Sequence, residues 1–139
     1  MTVLLDTGPL VAYLNREDPL HPRAVALVER ALSGELGLPQ STDFVLDEGL
    51  TLLRRRPGRR ELSSAFSSFF YGAEAHRPFL EMRATGPSMV KEAVATHLDL
   101  YERGLSFTDC TLIGHVRETG GVLASFDSGF EGVVPRVDH

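Results

Sequence analysis

Short apolar runs suited to strands alternate along this chain with longer stretches of helical period, and no other feature constrains the fold as strongly. Strands divided by helices cannot be joined as hairpins, so a parallel sheet with right-handed crossovers is the economical arrangement and the class is α/β. The first strand is read at residues 2–5, TVLL, a weak second at Leu36–Leu38, a third at Phe79–Met82 and a fourth at Val122–Phe126. Val133–Val137 is assigned as an edge strand that tolerates Pro135. The pattern predicts helices over Pro9–Leu14, Pro22–Leu32, Ser41 or Thr42 to Arg55, Glu61–Tyr71, Pro87 to Glu102 and Ser106–Glu118. Asp18-Pro19, Gly34, Pro57-Gly58 and Gly120-Gly121 punctuate them.

With 139 residues, 42% of them hydrophobic, the expectation is one domain over residues 1–139 with a sizeable core. One cysteine, Cys110, forms no intramolecular disulfide and supplies no zinc-ligand set, so a reducing cytoplasm is the expected compartment. No basic leader and no long uncharged apolar run point to a membrane. A net charge of −5 argues against a general nucleic-acid coat protein and directs attention to where the charges lie.

Parallel sheets collect ligands beyond the carboxyl ends of their strands, where Asp6 and Asp127 fall. Each has an ordinary explanation. Asp6 starts a turn into a helix, and Asp127 sits in Asp-Ser-Gly, good turn chemistry in itself. Asp109 completes a capping box with Ser106 and suits the first turn of a helix, yet it also shares an apolar stripe with Ile113 and Val116. Of the adjacent Asp47 and Glu48, one is expected to turn inward and the other to stay in water. Together these acids are expected to converge on one cleft, where unpaired carboxylates would be expensive to desolvate. Lys91 is the only lysine, and five of the arginines lie between Arg54 and Arg60, outside the acid-bearing stretches. Divalent metal is the better partner, because hard oxygen ligands with retained water suit Mg²⁺ or Mn²⁺.

The segments VLLDTGPLVAYL, VLDEGLTLLRRR, LSFTDCTLIGHV and LASFDSGF resemble, in order and spacing, the successive acidic motifs of PIN-domain ribonucleases, especially the small VapC-type toxins of prokaryotes. The resemblance covers essentially the whole chain. It implies a three-layer sandwich, with helices flanking a central parallel sheet of four or five strands. The matching acids are Asp6, Glu48, Asp109 and Asp127, with Glu48 chosen over Asp47 because the family's Glu precedes the leucine-rich helical run by one residue. Thr7 matches a hydroxyl after the first acid and Ser125 one beside the last.

The expected activity is therefore metal-dependent endoribonuclease action. Asp6, Asp109 and Asp127 would hold one or two Mg²⁺ or Mn²⁺ ions, Glu48 would bind an ion or orient water, and Ser125 would fix the geometry. The resemblance also implies a 5′-phosphate product, an antitoxin whose basic segment enters the acidic cleft, and a homodimer. Arg54, Arg55, Arg56, Arg59 and Arg60 form a candidate RNA-phosphate patch, weighed evenly against a solvated helix end. Other chemistries fare poorly: the five histidines lack zinc spacing, and no nucleophile elbow, Walker A sequence or dinucleotide fingerprint occurs. The competing readings are a PIN-like module that binds without chemistry and an RNA-processing nuclease without an antitoxin.

Overall fold

The computed structural model describes all 139 residues. In chain order the elements are β1 (Thr2–Leu5), α1 (Thr7–Leu14), α2 (His21–Leu32), β2 (Leu38–Thr42), α3 (Asp43–Arg54), α4 (Arg60–Tyr71), β3 (Glu81–Arg83), α5 (Pro87–Asp99), α6 (Phe107–Thr119), β4 (Val122–Ala124) and β5 (Arg136–Val137). Short 3-10 turns occupy Tyr101–Arg103 and Ser128–Phe130. The five strands form one wholly parallel sheet in the order β3-β2-β1-β4-β5.

Val3, Leu4 and Leu5 are fully buried because β1 is the central strand and is covered on both faces. The helices α1 to α4 pack among themselves, whereas α5 pairs with α6 and α6 lies on β1 and β4. From β1 the chain winds outward to β2 and β3, then returns past β1 to lay down β4 and β5. Winding therefore reverses between β1 and β4, and a crevice opens above their carboxyl ends.

The second strand differs from expectation, running Leu38–Thr42 rather than Leu36–Leu38. Its buried residues are Gln40, Ser41 and Thr42, whose polarity hides the strand from an apolar search. Each has a partner that offsets burial: Ser41 Oγ donates to the Leu5 carbonyl, Gln40 Nε2 donates to Glu81, and Thr42 caps α3 at Val45. Pro39 is tolerated because pairing with β3 begins only at Gln40. β1 matches its expected range, and the remaining strands are offset or shorter than expected. β3 begins at Glu81, β4 stops at Ala124, and β5 keeps only Arg136 and Val137. α1 starts at Thr7, not Pro9, because Asp6 caps it; α5 stops at Asp99 and hands over to the 3-10 turn.

Candidate active site

A cleft of about 470 Å³ lies above the carboxyl ends of β1 and β4. Asp6, Asp18, Glu48, Asp109 and Asp127 all line it, together with Thr7, Ser106, Leu52 and Phe126, and its lining contains no lysine, arginine or histidine. The four acids matched by sequence therefore reach one place from four segments of the chain. Asp18, Leu20 and Gly104 also line the cleft but carry no local sequence signal beyond turn chemistry.

Each acid is held by a neighbour. Asp6 caps α1, accepting from the Thr7 N–H at 2.7 Å through Oδ1, and its Oδ2 accepts from Ser125 Oγ at 2.7 Å. Ser125, fully buried, also accepts from the Asp127 N–H at 3.0 Å, so one hydroxyl joins two acidic segments. Thr7 Oγ1 donates to Glu48 Oε2 at 2.9 Å. The α3 helix thus presents Glu48 to the cleft, while Asp47 lies in a different groove with Leu50, Thr51, Arg54 and Ser63. Asp109 does complete the capping box: its Oδ2 accepts from the Ser106 N–H at 2.8 Å, and Ser106 Oγ accepts from the Asp109 N–H at 3.1 Å. That cap and the cleft position coexist. Asp127 Oδ1 accepts from the Gly129 N–H at 2.8 Å, in the expected turn.

Crowding buried carboxylates raises the cost of ionisation. Burial, and then the charges of Asp109 and Glu48, push Asp6 up to about 7 despite the hydrogen bonds from Ser125 and Thr7. Burial likewise lifts Asp109 to about 6; the Ser106 bonds oppose this, and the Asp127 and Glu48 charges reinforce it. The cleft is thus an anionic site that lacks an internal counter-charge. Its donors are hard oxygens, which suits a hydrated divalent ion. No three of the acids, however, close into a compact ligand set. A hydrated Mg²⁺, which keeps several waters and binds through one or two carboxylates plus substrate phosphate, does not require such a set.

The arginines stand apart. Arg54, Arg56, Arg59 and Arg60 line a second cavity of about 350 Å³, between the end of α3 and the start of α4. Arg59 is paired with Glu61, which takes part of its charge out of play. Arg55 caps the end of α3. Along α3, Glu48 and Leu52 line the acidic cleft, and Arg55 and Arg56 follow just beyond its last residue, Arg54. The axial step from Glu48 to Arg55 or Arg56 is roughly 10–12 Å.

The sequence profile of the PIN domain matches residues 3–134. This chain belongs to the PIN domain family. A VapC ribonuclease of Archaeoglobus fulgidus is 31% identical over 137 aligned positions, covering 94% of this chain and 80% of that relative. Among solved structures, the sarcin-ricin-loop-cleaving toxin VapC20 of Mycobacterium tuberculosis matches with TM-score 0.76 and 24% identity over 92% of each chain. VapBC2 of Rickettsia felis, solved bound to a promoter DNA fragment, matches with TM-score 0.69 and 13% identity over 99% of this chain and 98% of that one. These likenesses extend the PIN fold across the five-stranded sheet and its flanking helices. No helix of this PIN chain is long and apolar enough to cross a membrane.

Proposed function

We propose that this PIN-domain chain is a metal-dependent endoribonuclease and the toxin of a toxin–antitoxin pair. The observation that carries the reading is the composition of the cleft: five carboxylates and no basic side chain. Asp6, Asp109 and Asp127 would hold one or two Mg²⁺ or Mn²⁺ ions, with Glu48 either joining them or orienting water. Bound there, such an ion supplies Lewis-acid activation of water and neutralises charge developing on a phosphodiester. The protein's own contribution is orientation. Ser125 and the Thr7 N–H fix both oxygens of Asp6, while Thr7 Oγ1 holds Glu48 by Oε2 and leaves Oε1 for water. Ser106 and Gly129 fix one oxygen each of Asp109 and Asp127. Water as the nucleophile gives a 5′-phosphate and a 3′-hydroxyl and has no need of the ribose 2′-hydroxyl.

Arg54, Arg55, Arg56, Arg59 and Arg60 would hold RNA phosphates beside the cleft, the first three about two helical turns beyond Glu48. The VapC ribonuclease relative supports an RNA substrate, and an antitoxin partner belongs to the same reading. A basic antitoxin segment is the electrostatic complement of a cleft without cations, so substrate, metal and antitoxin would compete for one site. A homodimer is part of the same reading. The deciding experiment compares cleavage of a panel of structured RNAs by wild type and Asp6→Asn, with and without Mn²⁺. Metal-dependent cleavage that disappears in Asp6→Asn supports the reading, and binding without cleavage by wild type would leave only a PIN binding module.

A further inference from the structure

His115 is completely buried in the middle of α6 and is hydrogen-bonded at both ring nitrogens. Arg83 Nε donates to His115 Nδ1 at 3.1 Å. A guanidinium has only protons to give, so Nδ1 is the acceptor and the ring proton resides on Nε2. Nε2 then donates to Thr85 Oγ1 at 2.8 Å, and Thr85 Oγ1 donates onward to Asp43 Oδ1 at 2.6 Å. The Thr85 N–H donates to the other Asp43 oxygen at 2.9 Å. The chain Arg83–His115–Thr85–Asp43 thus has one consistent direction of donation, and Glu118 closes it by pairing with Arg83 at 3.2 Å.

The chain joins elements that carry the acids. Asp43 is the first residue of α3, five before Glu48, and His115 follows Asp109 by six on α6. Those separations correspond to roughly 7–9 Å along each helix. Thr85 and Arg83 bring in the end of β3 and the segment leading to α5. Packing at this junction includes an edge-on contact between Phe44 and Phe107, whose rings are 5.8 Å apart. An apolar contact of this kind allows sliding, whereas a string of directed hydrogen bonds fixes register.

We propose that Asp43, Thr85 and His115 are positioning residues, a hydrogen-bonded tie that holds the helix bearing Glu48 in register with the helix bearing Asp109. None of the three lines the acidic cleft, so the tie acts through the backbone of α3 and α6. The proposal rests on the metal-nuclease reading only for its catalytic consequence; the tie itself stands on the hydrogen bonds. Burial and the neighbouring Arg83 hold the His115 ring below its ordinary pKa, against the pull of Asp43 and Glu118, so the neutral ring the tie requires persists at neutral pH.

Thr85→Val removes the shared hydroxyl while keeping shape, and Thr85→Ser restores it. The first readout is amide hydrogen exchange in the opening turns of α3 and α6, which needs neither metal nor RNA. Exchange there is expected to quicken several-fold in Thr85→Val and return to the wild-type rate in Thr85→Ser. Unchanged exchange in Thr85→Val overturns the tie. The second readout is the Mn²⁺ midpoint of thermal stabilisation together with kcat and KM on RNA: a midpoint weakened several-fold and a lower kcat at unchanged KM, both rescued by Thr85→Ser, support coupling to the acids. Faster exchange with unaltered Mn²⁺ midpoint and kcat overturns that coupling. Absence of any Mn²⁺ effect in wild type would instead sink the metal reading, and the exchange comparison would still decide the tie.

Discussion

Ser125 donates its hydroxyl proton to Asp6 Oδ2 across 2.7 Å, a bond between residues 119 apart in the chain. It joins the end of β1 to the segment after β4 at the point where the sheet reverses its winding. Apart from this bond only the Thr7 N–H stabilises the carboxylate's charge, and burial pushes it up to about 7 in spite of both. Ser125→Ala is therefore expected to raise Asp6 further and to weaken Mn²⁺ binding near neutral pH about tenfold, the scale of one hydrogen bond to a charged group. A Mn²⁺ titration followed by thermal shift reads this directly. An unaltered midpoint would show that Ser125 fills space and does nothing for the acid.

The metal-free protein should lose stability as pH rises through the window set by its acids. Asp6 and Asp109 sit at about 7 and about 6 in the folded chain, against 3.8 when unperturbed. Between those limits the folded state holds more protons than the unfolded one, so ionisation favours unfolding. His115 opposes this below its ordinary pKa, because its lowered folded value makes the unfolded state the better proton binder there. Asp43, held low by the Thr85 and Phe44 hydrogen bonds against its burial, adds stability that is lost only on stronger acidification. The clean measurement is thus a difference. Relative to wild type, Asp6→Asn should gain melting temperature as pH rises from about 4 to about 7, by several degrees at the upper end. No pH-dependent difference between the two would contradict the raised acid.

Gly49, next to Glu48, sets how closely α3 approaches α4. A Cβ built there would lie 2.0 Å from the Phe66 ring, and Phe66 is fully buried. Gly49→Ala must therefore push the two helices apart, at a cost of about 1–3 kcal/mol for overpacking. Denaturant unfolding checks the cost. Wild-type stability in this variant would mean that the α3–α4 packing is looser than the structure shows.

The sequence exposes those parts of this fold whose physics is local. β1 is legible because a central parallel strand must be apolar on both faces, and the cap at Ser106 is legible because its partner lies three residues on; Asp6 reads only as a turn residue, so the start of α1 is placed at Pro9 rather than Thr7. The β2 strand is not. Gln40, Ser41 and Thr42 are buried with partners up to 41 residues away, so their polarity reads as loop until the neighbours are known. The acids show the same division: their types and strand-end positions are visible, whereas choosing Glu48 over Asp47 needs either family likeness or the Thr7 contact. The Asp43–Thr85–His115 chain spans 30 to 42 residues per bond and leaves no periodic trace; in sequence His115 is one more packing histidine.

Replacing Arg54, Arg55 and Arg56 with glutamine should weaken RNA binding and flatten its salt dependence, the slope falling by roughly one unit for each phosphate that is no longer neutralised. Mn²⁺ affinity should stay nearly unchanged, since none of these arginines lines the acidic cleft. Arg59 is expected to matter less, because it already pairs with Glu61. Filter-binding across a salt series distinguishes the outcomes. An unaltered slope would return the cluster to the role of a solvated helix end.

Asp127→Asn separates enzyme from binding module. The asparagine oxygen can still accept from the Gly129 N–H, and the Ser125 contact to the Asp127 backbone is untouched, so the turn should survive. What disappears is one negative charge in the cleft. Metal-assisted hydrolysis should then fall by about two orders of magnitude or more, since a hard cation loses an anionic ligand. RNA affinity should hold or rise, because the polyanion now approaches a less negative cleft. A basic antitoxin segment should bind more weakly for the same reason. Single-turnover cleavage and metal-free RNA binding, measured on one preparation, give both numbers. Cleavage at the wild-type rate, after contaminating ribonuclease is excluded, would place the chemistry somewhere other than this cleft.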